Sequence, residues 1–446
     1  MESQLSPALP LIQSAFSASP TALGWVFSGL MISGAVSTPI VGRLGELYDK
    51  CRVLAAVLLS VAFGCLASAC AQDLATLVIG QVFQGIGLGA IPLSFALIAE
   101  ASAPSQVARN NALAVASLTV STAAGLLSVG PVVGSLGFRG MFLLPLPVLL
   151  PAAIYLWATA GRDRASKSVL ATGTRIDWSG AVGLTVCIAS LLIGLTLVAS
   201  IGLRSPLTFV AFAVSIAALS VWVVLELRHH APLIDLRILA QPAVARTAVV
   251  ALATGFASVG ANVALPIMLH ASPASGIGLG ADTTTIGLLL LPLGVMGATA
   301  TVVIQLLERF MTMQTIMAAG ALTLTCGAAL PAVWHADVWQ IAAGTGLLGL
   351  GVGLVLTAAM TIVAREVPAD RTSSIAACVF LIRAIGGVLG AQVTVTIIAL
   401  SADSSGLIRS AGFAQAFAVS GLVGLAAVVA AVRLPRRNRR SAESLL

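Results

Sequence analysis

The stretch TPIVGRLGELYDKCRVL, residues 38–54, decides the fold. About twenty mostly apolar residues precede its polar part and about twenty follow it, one bilayer crossing on each side. Between them lie three cations, Arg43, Lys50 and Arg52, and two anions, Glu46 and Asp49. A hairpin of two membrane helices needs a polar connection of this length, because neither helix can end inside hydrocarbon. The excess of cations keeps such a connection on the cytoplasmic side, and the mixed signs let its charges pair.

Composition extends that reading to the whole chain. Of 446 residues, 58% are hydrophobic and 9% charged, and the mean hydropathy is +1.05. A soluble domain carries roughly 25% charged residues, so this is an integral membrane protein. Forty-three glycines and few aromatics (5%) suit closely packed helices better than a barrel, whose strands would alternate apolar and polar residues. The six cysteines, Cys51, Cys65, Cys70, Cys187, Cys326 and Cys378, have no metal-ligand spacing and read as small apolar fillers.

Thirteen complete hydrophobic spans are expected, at 23–41, 53–71, 75–98, 111–134, 140–160, 178–199, 204–225, 246–268, 284–306, 314–333, 338–363, 374–399 and 411–432. With the turn at 42–52 cytoplasmic and spans alternating, cytoplasmic segments hold 19 of the 23 Arg and Lys residues. Outside segments hold three, Arg139, Arg204 and Arg409, and Arg383 lies within a span. That 19 to 3 split is a positive-inside pattern, and it accounts for the +7 net charge without nucleic acid. It places the basic tail, 433–446, in the cytoplasm.

An internal repeat divides the chain. Gly85-Ile86-Gly87-Leu88-Gly89 recurs as Gly349-Leu350-Gly351-Val352-Gly353, and the match runs without a gap to Pro104 and Pro368. The polar turn recurs with Glu308-Arg309-Phe310 opposite Glu46-Leu47-Tyr48, and Met311 opposite Asp49. The expected fold class is an all-α polytopic membrane protein of two six-helix halves, 1–160 and 246–432. Two extra linker helices at 178–225 separate them.

Several motifs carry a family resemblance. Gly42, Leu44, Gly45, Glu46 and Lys50 fall in register with the signature between spans 2 and 3 of major facilitator superfamily transporters. Arg43 and Arg52 belong to the same loop, and Asp49 stands where the family has its second glycine. Span 5 holds Gly125, Gly130, Pro131 and Gly134, which resemble the family's antiporter motif. Leu5–Ile12, with the triplet Ala8-Leu9-Pro10, resembles the end of span 1 in the 14-span drug:proton antiporters, so most of span 1 is expected to be missing upstream. Ala231-Pro232-Leu233-Ile234-Asp235-Leu236-Arg237 resembles the segment before span 9 of that family.

The resemblance implies a secondary transporter exporting small, amphipathic or drug-like molecules by alternating access, in exchange for protons. It implies a monomer in the cytoplasmic (inner) membrane, with protons, lipid and a small substrate as partners and no cofactor. Two other readings stand beside it: a facilitator or importer of the same fold, and a transport-inactive membrane protein with a sensing or scaffold role. Enzyme chemistry is not expected, since the four histidines fall at span ends or in loops without a ligand constellation.

Candidate substrate and coupling groups are the polar residues inside spans. Gln81-Val82-Phe83-Gln84-Gly85 resembles the family's R-x-x-Q-G motif with its arginine replaced, so Gln81 and Gln84 could line a cavity or bond between helices. Arg383, ahead of Gly386-Gly387, is the residue charged at neutral pH that lies well inside a complete span. It could serve a cavity or hold a structural hydrogen bond. Asn262 and Gln392 are the further polar candidates, beside Gln305. No carboxylate lies mid-span in the thirteen helices, so Glu2 in the partial span 1 is the expected proton-carrying acid.

Overall fold

The computed structural model describes residues 5, 11–12, 15–16, 20–102, 104–160, 178–228, 236–271, 278–334, 337–366, 372–401 and 410–433. Glu2, the triplet at 8–10, the connection 161–177 and the tail beyond Arg433 lie outside them.

The described residues are helical, without a strand. The first half carries α1 (Pro20–Leu47), α2 (Lys50–Ala69), α3 (Leu74–Gly85), α4 (Ala90–Ala101), α5 (Pro104–Leu143) and α6 (Leu146–Thr159). Then come α7 (Trp178–Ile201), α8 (Pro206–Arg228) and the short α9 (Leu236–Leu239). The second half holds α10 (Pro242–His270), α11 (Thr283–Leu307), α12 (Met313–Ala329), α13 (Val338–Glu366), α14 (Thr372–Leu400) and α15 (Ser410–Val432). Among the described residues ten helical stretches are long and apolar enough to cross a membrane. This is a multi-pass membrane protein.

Three boundaries differ from the sequence expectation. Helix α1 runs on to Leu47, with the Tyr48 amide bonded to the Leu44 carbonyl at 2.8 Å. Gly42, Arg43, Gly45 and Glu46 are therefore helical, and the turn shrinks to Tyr48 and Asp49. The expected loop between 134 and 140 shrinks to a kink that divides α5 into two helical parts. A single residue, Gly137, leaves helical geometry there at φ 68°, ψ −179°, a left-handed backbone that glycine adopts without steric cost. Span 4 is broken where one helix was expected: Ile86–Gly89 forms a 3-10 turn between α3 and α4. Its repeat partner at 349–353 stays α-helical within α13.

Small residues set how closely the helices approach. A Cβ at Gly64 would stand 2.6 Å from the Gly80 carbonyl oxygen, so α2 and α3 cross almost backbone to backbone. The same crossing recurs in the second half, where a Cβ at Gly327 would stand 2.8 Å from the Gly344 carbonyl oxygen. The sequence offsets are 327 − 64 = 263 and 344 − 80 = 264.

The two halves meet along α1 with α14 and α5 with α11, and α4 also touches α14. Prolines inside α5, α6, α10 and α11 remove backbone donors, which neighbouring helices can compensate inside a bundle. Near the N-terminus, Leu5 and Ile12 are buried among Ala69, Ala71, Leu77, Met141 and Phe142.

Candidate functional site

The turn at Tyr48 and Asp49 is built from its cap outward. Asp49 has non-helical geometry (φ −57°, ψ 119°), and its Oδ1 accepts the Arg52 amide at 3.0 Å. That satisfies one of the open donors of the α2 N-terminus. Asp49 thus works where the family carries glycine, because a cap residue needs no left-handed backbone. Lys50, next along, pairs through Nζ with Glu100 Oε1 at the end of α4. The lysine is the more enclosed partner, 18% exposed against 46% for the carboxylate.

The partner of this turn was thus on another helix. Sequence reasoning paired the charges within the turn; the Glu46 side chain lies outside the described residues, and the ion pair that is described runs from Lys50 to Glu100. Arg43 is half-buried and Arg52 exposed, while Gly42 and Gly45 are buried. No local sequence signal linked positions fifty residues apart.

The span 5 motif lies at the seam between the halves. Gly130 faces Thr284 at the start of α11, so closely that any Cβ there would displace the threonine. Pro131 and Gly134 are exposed, Gly125 is buried, and nothing lies within 4 Å of where a Gly134 Cβ would point. Pro131 deprives the helix of a donor, and Ser135 Oγ donates to its carbonyl at 2.8 Å.

Gln81 and Gln84 point at α2. Gln84 Nε2 donates to Ser68 Oγ at 2.8 Å and to the Gly64 carbonyl at 3.1 Å, and Gln81 Nε2 reaches Ser68 Oγ at 3.3 Å. Both side chains are buried, and Gln84 Oε1 has no hydrogen-bond partner. These amides serve the α2–α3 crossing within the first half.

The remaining candidates sit on α10 and α14, which run parallel in tight contact. Gly386 packs on the Leu252 carbonyl and Gly390 on the Phe256 carbonyl, which fixes the register. Asn262 and Gln392, both half-buried, fall within about one turn in depth. Arg383 lies about 13 Å nearer the start of α14 than Gln392. Its guanidinium carbon stands 5.7 Å from the Phe380 ring centre, a cation–π distance. The structure therefore does not gather these candidates into one cluster with Gln81 and Gln84.

One acid at a helix end is enclosed by packing. Glu226, two residues from the end of α8, is 2% exposed and is the buried carboxylate among the described residues. The helix-end position hid this, since burial there depends on packing by other helices. Among the described residues no group of three or more His, Cys, Asp or Glu could hold a metal ion.

Comparison with known proteins gives this architecture relatives. The profile of the Major Facilitator Superfamily matches residues 1–391. A multidrug resistance protein B homolog of Mycobacterium tuberculosis is 27% identical over 265 residues, 58% of this chain and 48% of the relative. The multidrug resistance protein Stp of the same organism is 25% identical over 398 residues, 88% of this chain and 72% of that one. The chain spans about half the length of the first of these relatives. The human organic anion transporter MFSD10 (TETRAN) superposes with TM-score 0.63 at 15% identity, covering 96% of this chain and 89% of that one. An auto-inhibited POT family peptide transporter gives TM-score 0.63 at 16% identity, covering 98% and 96%. At such identities the two structures share the fold.

Proposed function

The chain belongs to the major facilitator superfamily, and from that premise we propose that it exports small amphipathic molecules by alternating access, in exchange for protons. The observation that carries this is the pair of seams between the halves, α1 on α14 and α5 on α11. Two helix sets joined along two seams can rock about a site between them. The names of the multidrug-resistance relatives support the substrate class.

In this reading the inner turn latches one conformer. Lys50 holds Glu100 at the end of α4, and α4 itself touches α14 of the other half. The pair thus bears on a helix that touches the other half. Asn262, Gln392 and Arg383 are the proposed substrate-side groups, Glu2 the proposed proton carrier, and a single chain in the cytoplasmic membrane the proposed working unit.

Reconstitution in liposomes with a trapped pH-sensitive dye tests the proposal, using ethidium and fluorescein as cationic and anionic probes. Movement of either probe with opposite proton flow is expected. Equilibration that ignores an imposed pH gradient would replace export with facilitation. Absence of any flux would overturn transport of these classes.

A further inference from the structure

The two linker helices do more than connect. Helices α7 and α8 form an antiparallel hairpin, with Ser215 Oγ donating to the Cys187 carbonyl at 3.0 Å and Gly194 seated on the Phe212 ring. One ridge of α7, Leu184, Ile188 and Leu192, is at most 4% exposed and packs across the seam between the halves. The same cluster takes Leu30 and Met31 from α1 and Cys378, Leu381 and Val388 from α14. The outer face of α8 stays exposed at Phe209, Ile216 and Val221, as a lipid-facing surface does.

The hairpin touches both halves, and one further element, α9, ties it to the second. The α14 contribution runs from Cys378 to Val388, about 15 Å along the helix, and the first half meets the cluster through Leu30, Met31 and Ile32 of α1 and through Leu88. Leu236 and Leu239 of α9 pack into the hairpin cluster, and Leu239 also packs into a second-half cluster with Val244, Val363 and Ile375. Seven residues, 229–235, join α8 to α9, while eighteen, 160–177, separate α6 from α7. The hairpin is therefore tied to the second half through α9 as well as α14, while α1 and Leu88 are its contacts with the first half.

We propose that the α7–α8 hairpin is a seal that moves as part of the second half and slides over α1, keeping lipid out of the α1–α14 seam. Apolar side chains suit a sliding contact, because exchanging one apolar neighbour for another in a membrane breaks no hydrogen bond. The proposal rests on the rocking of the halves proposed above.

Three spin-label pairs test it in lipid nanodiscs, in a background without the six native cysteines. Labels at the exposed Tyr48, Val221 and Phe310 (63%, 58% and 85% exposed) report the first half, the hairpin and the second half. The Tyr48–Phe310 distance is expected to resolve into more than one population, and Tyr48–Val221 to do the same. Phe310–Val221 is expected to stay single and narrow. A spread Phe310–Val221 distance with a narrow Tyr48–Val221 distance would assign the hairpin to the first half and overturn the proposal. Spread in both hairpin pairs would make it an independent body, with the same consequence. A single Tyr48–Phe310 population would remove the rocking itself, and the proposal with it.

Discussion

Asp49 and Thr312 hold the same post in the two halves. Asp49 Oδ1 caps α2 by accepting the Arg52 amide at 3.0 Å, and Thr312 Oγ1 caps α12 by accepting the Thr315 amide at 3.3 Å. Their separation, 312 − 49 = 263, equals that of Gly64 and Gly327 farther along the same helices. Sequence matching had set Met311 opposite Asp49. The helix starts correct that register by one residue, because a cap needs a side-chain oxygen and methionine has none.

The cap predicts a graded series at position 49. Asp49→Ala should cost about 1 kcal/mol of stability, Asp49→Gly only a few tenths, and Asp49→Thr less than alanine. Thermal unfolding in detergent reads the order. Equal losses for alanine and threonine would deny the cap.

The Lys50–Glu100 pair predicts a kinetic effect. A partly exposed pair contributes about 0–1 kcal/mol, which alters a balanced two-state equilibrium by up to roughly fivefold. Glu100→Gln and Lys50→Met should each change turnover within that range, and the double variant should change it no further. Additive effects in this cycle would show that the two residues act separately. Glu46→Gln should likewise slow turnover at normal expression.

The seam predicts opposite outcomes for two glycines four residues apart. Gly130→Ala should lower transport several-fold, because its methyl meets Thr284 across the seam, whereas Gly134→Ala has open space and should be silent. Adding Thr284→Gly should restore activity to the Gly130→Ala variant. Failure of that rescue would move the defect elsewhere.

Acid sensitivity should come partly from two helix caps. The Thr76 amide holds the Asp73 carboxyl below its usual range, and the Thr285 hydroxyl and amide do the same for Asp282. A carboxyl depressed in the folded state contributes stability above its unfolded value, near 3.9, and loses it as pH falls through the folded value. Stability should therefore decline below about pH 4. The double variant Asp73→Asn, Asp282→Asn should flatten that decline. An unchanged acid limb would assign it to other carboxyls.

Proton coupling separates two acids. Glu2→Gln should abolish proton exchange, while Glu226→Gln should retain it, since Glu226 lies two residues from the end of α8 in the hairpin. The trapped pH dye reads both variants. Retained exchange without Glu2 would place the coupling group elsewhere.

The sequence alone determined that this chain lies in a membrane as a bundle of apolar helices with a repeated pattern. Those properties follow from local hydropathy, helix period and a repeated glycine pattern, all carried by neighbours in sequence. It also supplied Asp49, Lys50, Gly130 and Pro131 as residues to watch. Their partners came from the tertiary structure: Glu100 lies fifty residues from Lys50, and Thr284 lies more than 150 from Gly130. The facing of Gln81 and Gln84 toward Ser68, the burial of Glu226, and the seat of Leu184, Ile188 and Leu192 across the two halves were decided the same way. In hydrocarbon, hydropathy gives every face of a helix nearly the same signal, so which face meets protein and which meets lipid is settled only when the helices pack.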